Sequence, residues 1–173
     1  EIKMNIPQHS LAAVTIQRAA AIKIQARVRG QQLRNKQLRN KQLLEAAKIG
    51  DIERTKNLIK HGADVDAKDR YGRTALHYAG LCGFADIVKA LLIAGADVNA
   101  TDKYGNRALY WAADNDSEDI VKALVIAGAD VNVTNKYGVT ALQMAKNNDC
   151  YDDVKKAIEE GKNELIKLHQ DKL

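Results

Sequence analysis

The side chains best suited to chemistry in this chain are large ones that recur at a single interval, and their chemistry is contact rather than bond making. Tyr78, Trp111 and Met144 stand 33 residues apart. Ahead of each lies a short cluster of cations and tyrosine: Arg70, Tyr71 and Arg73, then Lys103, Tyr104 and Asn106, then Lys136, Tyr137 and Val139. Aromatic, thioether and guanidinium groups in such a row are the kind that dominate protein interfaces. Catalysis has no comparable support. His9, His61, His77 and His169 show no metal-ligand spacing, and there is no phosphate loop, nucleophile elbow or paired-carboxylate signature. The chain is therefore read as non-enzymatic, with no cofactor and no metal. Asp114, Asp116, Glu118 and Asp119 place four carboxylates within six residues. They suit either a basic partner or a solvated turn in which Asp116 or Ser117 caps the next helix.

The elements that must position these groups are repeats. Asp69-Arg70-Tyr71-Gly72, Asp102-Lys103-Tyr104-Gly105 and Asn135-Lys136-Tyr137-Gly138 follow one another at 33 residues, each continuing into Ala-Leu. Gly-Ala-Asp-Val-Asn recurs at Gly95 and Gly128, after Gly62-Ala63-Asp64-Val65-Asp66 one period upstream. A fixed period of this length means stacked units. With Thr74-Ala75-Leu76-His77-Tyr78-Ala79, the chain resembles the ankyrin repeat family over about residues 43–160. The resemblance implies an all-α solenoid of helix-turn-helix repeats with β-hairpin-like tips. Its expected units are a cap at 43–68, repeats at 69–101 and 102–134, and a closing cap repeat at 135–160, with a charged helical tail at 161–173. It also implies that the tips and the outer face of each first helix form a concave surface for a client protein. On that surface Tyr78, Trp111 and Met144 are expected as an exposed row, or alternatively as residues half-buried against neighbours.

Within a repeat, Gly72, Gly105 and Gly138 are placed for positive φ in the turn, and Thr74 and Thr140 to cap the first helix. In the family this threonine joins the following histidine in a hydrogen-bond network. Only the unit with Thr74 and His77 keeps both; the next has Arg107 and Tyr110, and the last Thr140 and Gln143. The Arg107 unit should lose about 1 kcal/mol of capping. Ile87-Val88-Lys89-Ala90-Leu91-Leu92 and Ile120-Val121-Lys122-Ala123-Leu124-Val125 put one wide apolar stripe on the second helix. Such helices need stacked neighbours to bury it.

Residues 1–42 differ in kind. They carry nine Lys/Arg against Glu1 alone, a charge of +8, whereas residues 43–173 hold 18 basic and 21 acidic residues, a net of −3. Different partners are expected for the two regions. Residues 1–9 read as a leader, and 10–42, rich in Ala, Gln, Leu and Arg with a single glycine, as a basic helix. Ile24-Gln25-Ala26-Arg27-Val28-Arg29-Gly30-Gln31-Gln32-Leu33-Arg34 resembles the IQ motif at every defined core position. The resemblance implies binding of calmodulin or a related EF-hand light chain. Ile24 and Val28 would anchor in an apolar groove and Gln25 bond to its main chain, while Gly30 permits close approach and Arg29 and Arg34 pair with acidic groups. Gln37 stands where the extended motif has an apolar residue, with Leu38 one step later. The other readings are a helix that only extends the cap, or an electrostatic tether to nucleic acid or anionic membrane. The nucleic-acid variant lacks stacking aromatics, since none precedes Tyr71. Cys82 and Cys150 lie about two repeats apart, too far for a disulfide, and free thiols suggest a reducing, cytoplasmic setting. A monomer is the simplest state.

Overall fold

A computed structural model describes residues 10–147 and 150–171; the leader expected at 1–9, with His9, lies outside the described residues. The described residues form eight helices and no strand: α1 Ser10–Ile49, α2 Ile52–Lys60, α3 Ala75–Cys82, α4 Ala85–Ile93, α5 Ala108–Asp114, α6 Glu118–Ile126, α7 Ala141–Asn147 and α8 Tyr151–Gln170. The chain falls into two compact units that divide after Leu38. In the first unit, every described side chain of α1 from Gln17 to Leu38 is exposed apart from the partly covered Gly30.

The second unit is the solenoid. Its first helices stack as α3, α5 and α7 and its second helices as α2, α4, α6 and α8. Leu76, Ile87, Val88, Leu91, Ile120, Val121, Leu124 and Val154 are at most 1% exposed, so the period-33 stripe is the core. Full burial of one such side chain contributes about 1.5–3 kcal/mol. Between helix pairs, the Asx residue of each hairpin closes a tight turn, and the glycines foreseen for positive φ adopt it: Gly72 at 77°, Gly105 at 78° and Gly138 at 75°. A Cβ at Gly72 or Gly105 would come within 3.1 Å of the next hairpin's backbone nitrogen, at Lys103 or Lys136. These two glycines are therefore fixed by stacking as well as by the turn.

Two boundaries differ from expectation. Leu43, Ala46 and Ala47 are buried and serve as the first helix of the solenoid's opening cap, but they belong to α1, which runs on from the basic segment. One period upstream of Gly72 stands Arg39, which cannot turn as a glycine does, so helix replaces the first hairpin. The tail does not begin at 161 either. Gly62, Gly95 and Gly128 end second helices at φ of 79°, 84° and 90°, whereas Gly161, the next in period, lies inside α8. In the residues after it, Lys162-Asn163-Glu164-Leu165, the good helix formers Glu164 and Leu165 stand where the earlier copies have Val and then Asn or Asp. Gly161 is buried, and a Cβ there would meet Val125 at 3.0 Å and the Lys122 carbonyl at 3.2 Å. Lys122 clasps the same turn of α8 through Glu160 at 3.7 Å and Glu164 at 3.4 Å. Cys82 and Cys150 are free thiols, and no helix among the described residues is long and apolar enough to cross a membrane.

Candidate protein-recognition site

Each tip is organised by one side-chain oxygen. Asp69 Oδ1 accepts the N–H groups of Tyr71 at 2.8 Å and Arg73 at 2.9 Å. Asp102 Oδ1 accepts those of Tyr104 at 2.8 Å and Asn106 at 2.9 Å. Asn135 Oδ1 accepts those of Tyr137 at 2.9 Å and Val139 at 3.0 Å. Adjacent tips are joined by the Lys103 N–H donating to the Tyr71 carbonyl at 2.9 Å and the Lys136 N–H to the Tyr104 carbonyl at 3.0 Å. What remains outward is Tyr71, Tyr104 and Tyr137, at 40%, 43% and 71% exposure, with exposed Arg70, Lys103 and Lys136 beside them. Arg70 lies 4.8 Å over the Tyr71 ring, and Tyr104 and Tyr137 stack at 6.5 Å between centroids.

Asn106 departs from its expected place at the surface. It is buried, donating through Nδ2 to Asp102 Oδ2 at 3.2 Å and accepting at Oδ1 from Asn135 Nδ2 at 2.9 Å. Its amide ties two hairpins together and is not available for contact.

The row along the first helices follows the half-buried alternative and not the exposed one. Tyr78 is only 7% exposed, because its hydroxyl donates to Asp69 Oδ2 at 2.6 Å while Lys48 covers its ring at 4.5 Å. Burial, then the bonded Asp69 carboxylate, pushes the Tyr78 hydroxyl up to about 12. Burial also raises the Asp69 carboxyl, but the Tyr78 hydroxyl and the Arg73 and Tyr71 N–H groups outweigh it and hold Asp69 below its ordinary 3.8. Trp111 and Met144 are half-buried. Arg73 lies 4.6 Å over the Trp111 ring and 5.9 Å over Tyr78, 3.8 Å from Asp102. Tyr110 meets Trp111 edge-on at 5.5 Å and donates to Met144 Sδ at 3.2 Å. The row is thus a continuous column from Lys48 to Met144. Lys48 escaped the sequence reading, and Tyr110 was read only as the residue in the place of His77, because neither sits on the period of the other three.

Beneath the tips, Thr74 N–H donates to His77 Nδ1 at 3.1 Å, so Nδ1 is the acceptor and Nε2 carries the proton toward the Asn106 carbonyl at 3.1 Å. Burial lowers the His77 pKa below 6.5, consistent with this neutral tautomer. In the last unit, Thr140 N–H donates to Gln143 Oε1 at 2.8 Å and Gln143 N–H to Thr140 Oγ1 at 3.1 Å, a reciprocal capping box. Arg107 makes no side-chain cap bond.

At the acidic turn, Asp116 takes φ of 50°, the one non-glycine positive φ among the described residues, where Gly83 stands one repeat earlier at 75°. Ser117 precedes α6 without a side-chain cap bond. On the basic helix, Ile24 is 63% and Val28 45% exposed; Gln25, Arg29 and Arg34 are exposed too, and Gly30 is partly covered. Among the described residues no group of His, Cys, Asp and Glu could hold a metal ion.

The ankyrin repeat family model matches in three copies, over residues 13–102, 43–135 and 94–167. Potassium channel KOR2 of Oryza sativa subsp. japonica is 54% identical over 44 residues, which is 25% of this chain and 6% of the channel. Two Rickettsia felis proteins named for ankyrin repeats are each 44% identical over 46 residues, 27% of this chain and 73% and 70% of theirs. A period-33 core, Asx-closed tips and these matches lead to one statement: the chain belongs to the ankyrin repeat family and is a protein–protein interaction module.

Proposed function

We propose that this chain is a two-handed, non-enzymatic adaptor. The repeats hold a client protein at Arg70, Tyr71, Lys103, Tyr104, Lys136 and Tyr137, with Arg73, Trp111 and Met144 as the half-buried floor. The basic helix binds calmodulin or a related EF-hand protein through Ile24, Gln25, Val28, Arg29, Gly30 and Arg34. The observation that carries the second hand is that Ile24 and Val28, one helical turn apart, stay 63% and 45% exposed. Apolar groups spaced i, i+4 on a cationic helix suit an apolar groove rimmed by carboxylates. Such a partner is cytoplasmic, and so is the setting we propose for the chain.

Calorimetric titration of calmodulin into the whole chain, with calcium and with chelator, tests the reading. Binding at moderate salt that is lost in Ile24→Asp/Gln25→Ala supports it. The charge of +8 over residues 1–42 favours a second reading, an electrostatic tether to nucleic acid or anionic membrane with the repeats as cargo binder. In that case affinity for the polyanion falls steeply with salt and is indifferent to Ile24 and Gln25.

A further inference from the structure

We infer that the client segment held by the tips is acidic and extended. The inference rests on the client-binding reading above and supplies its chemistry. It comes from how charge is used within the hairpins. The carboxylates of the tip turns themselves are engaged from inside: Asp69 by the Tyr71 and Arg73 N–H groups and the Tyr78 hydroxyl, Asp102 by the Tyr104 and Asn106 N–H groups, the Asn106 amide and Arg73. In the third tip the equivalent residue is the uncharged Asn135. The exposed Asp64, Asp97 and Asp130 lie five residues before each turn, next to the ends of the second helices, and each accepts an N–H group two residues on. Arg73 is held between two rings and Asp102, and Lys68 donates to the Thr101 carbonyl at 3.3 Å.

The outward charge of the tips is therefore that of Arg70, Lys103 and Lys136, each followed by an exposed tyrosine. The exposed acidic residues Asp116, Glu118 and Asp119 sit at the other end of α5, so the exposed charges within the three tip turns have one sign although residues 43–173 carry a net of −3. Spacing supplies the second argument. Backbone bonds lock neighbouring tips together, and the Tyr104 and Tyr137 rings stand 6.5 Å apart. Same-face side chains of an extended strand recur at about 6.6–6.8 Å. An extended segment with carboxylates at alternate positions can thus keep step with the Tyr104–Tyr137 pair while its acidic groups face the cations beside these rings.

The test uses the full chain carrying Arg27→Glu/Arg29→Glu/Arg34→Glu, so that the basic helix does not capture the probe. Fluorescence polarisation is measured with labelled peptides of alternating Glu and Thr, Gln and Thr, or Lys and Thr. The expected result is binding of the Glu peptide alone, weakened about tenfold or more by Arg70→Glu/Lys103→Glu/Lys136→Glu and about threefold by Tyr104→Ser/Tyr137→Ser, with unchanged circular dichroism. Lys136→Glu alone, at an exposed position, should give a partial loss and guards against misfolding of the triple variant. Equal, tip-dependent binding of the Gln or Lys peptide would overturn acidity while leaving the tips as a client site. Binding of no peptide in a tip-dependent way would overturn both the acidic class and the placement of the client at the tips.

Discussion

His77 is the residue on which the first full repeat depends. Its ring accepts from Thr74 and donates across to the next hairpin at Asn106, and the first of these bonds requires the neutral form, since a protonated Nδ1 cannot accept. Because the folded pKa lies below the unfolded value of 6.5, the unfolded chain binds the proton more readily. The stabilisation is complete above about pH 6.5 and is lost as pH falls through the folded pKa. Urea denaturation followed downward from pH 7 should show this decline, and His77→Gln should flatten it. His77→Ala should cost about 1–3 kcal/mol at pH 7, since it leaves buried groups unpaired. Asp116→Gly is expected to act in the opposite direction. Removing a Cβ at φ of 50° should stabilise the fold by up to about 1 kcal/mol, measured as a raised midpoint. The acidic turn around Asp116 was visible in the sequence as four carboxylates within six residues. The buried state of Tyr78 and Asn106 was not, because the period assigns equivalent positions while their burial depends on particular partners, Asp69 and Lys48 for one, Asp102 and Asn135 for the other.

At the level of elements, the second helices were legible because their apolar stripe repeats with little change. The first helices were less so, since each begins with a different solution. Thr74 with His77 and Thr140 with Gln143 make reciprocal bonds, whereas Arg107 provides none. Arg107→Thr should therefore stabilise α5 by about 1 kcal/mol, read as an increase in unfolding free energy. The ends of α1 and α8 were misjudged for a shared reason. A break was expected wherever the period placed one, but helix propensity on both sides of Arg39 and of Gly161 carried the backbone through. Gly161→Leu should destabilise by about 1–3 kcal/mol by driving a side chain into Val125, with the loss appearing in thermal melts. Gly62→Leu, where a Cβ has nothing within 4 Å, would suffer backbone strain alone.

The molecule as a whole joins a module whose stability comes from stacking to a helix segment whose described side chains up to Leu38 lie almost entirely exposed. Removing residues 1–38 should accordingly leave the unfolding free energy of the repeats within about 0.5 kcal/mol of the intact chain, while abolishing any calmodulin binding. The two regions also carry opposite net charge, +8 and −3. The helix-ending glycines work as punctuation. At Gly62, Gly95 and Gly128 the chain stops, turns and begins another unit, so whole periods could be gained or lost among them in evolution without disturbing phase. At Gly161 the same mark is ignored, and α8 continues over the ground from which another hairpin would have to start. The number of stacked units is thus written into the few residues that follow this glycine, Lys162 to Leu165, and changing how many units the array holds at that end would require restoring the stop.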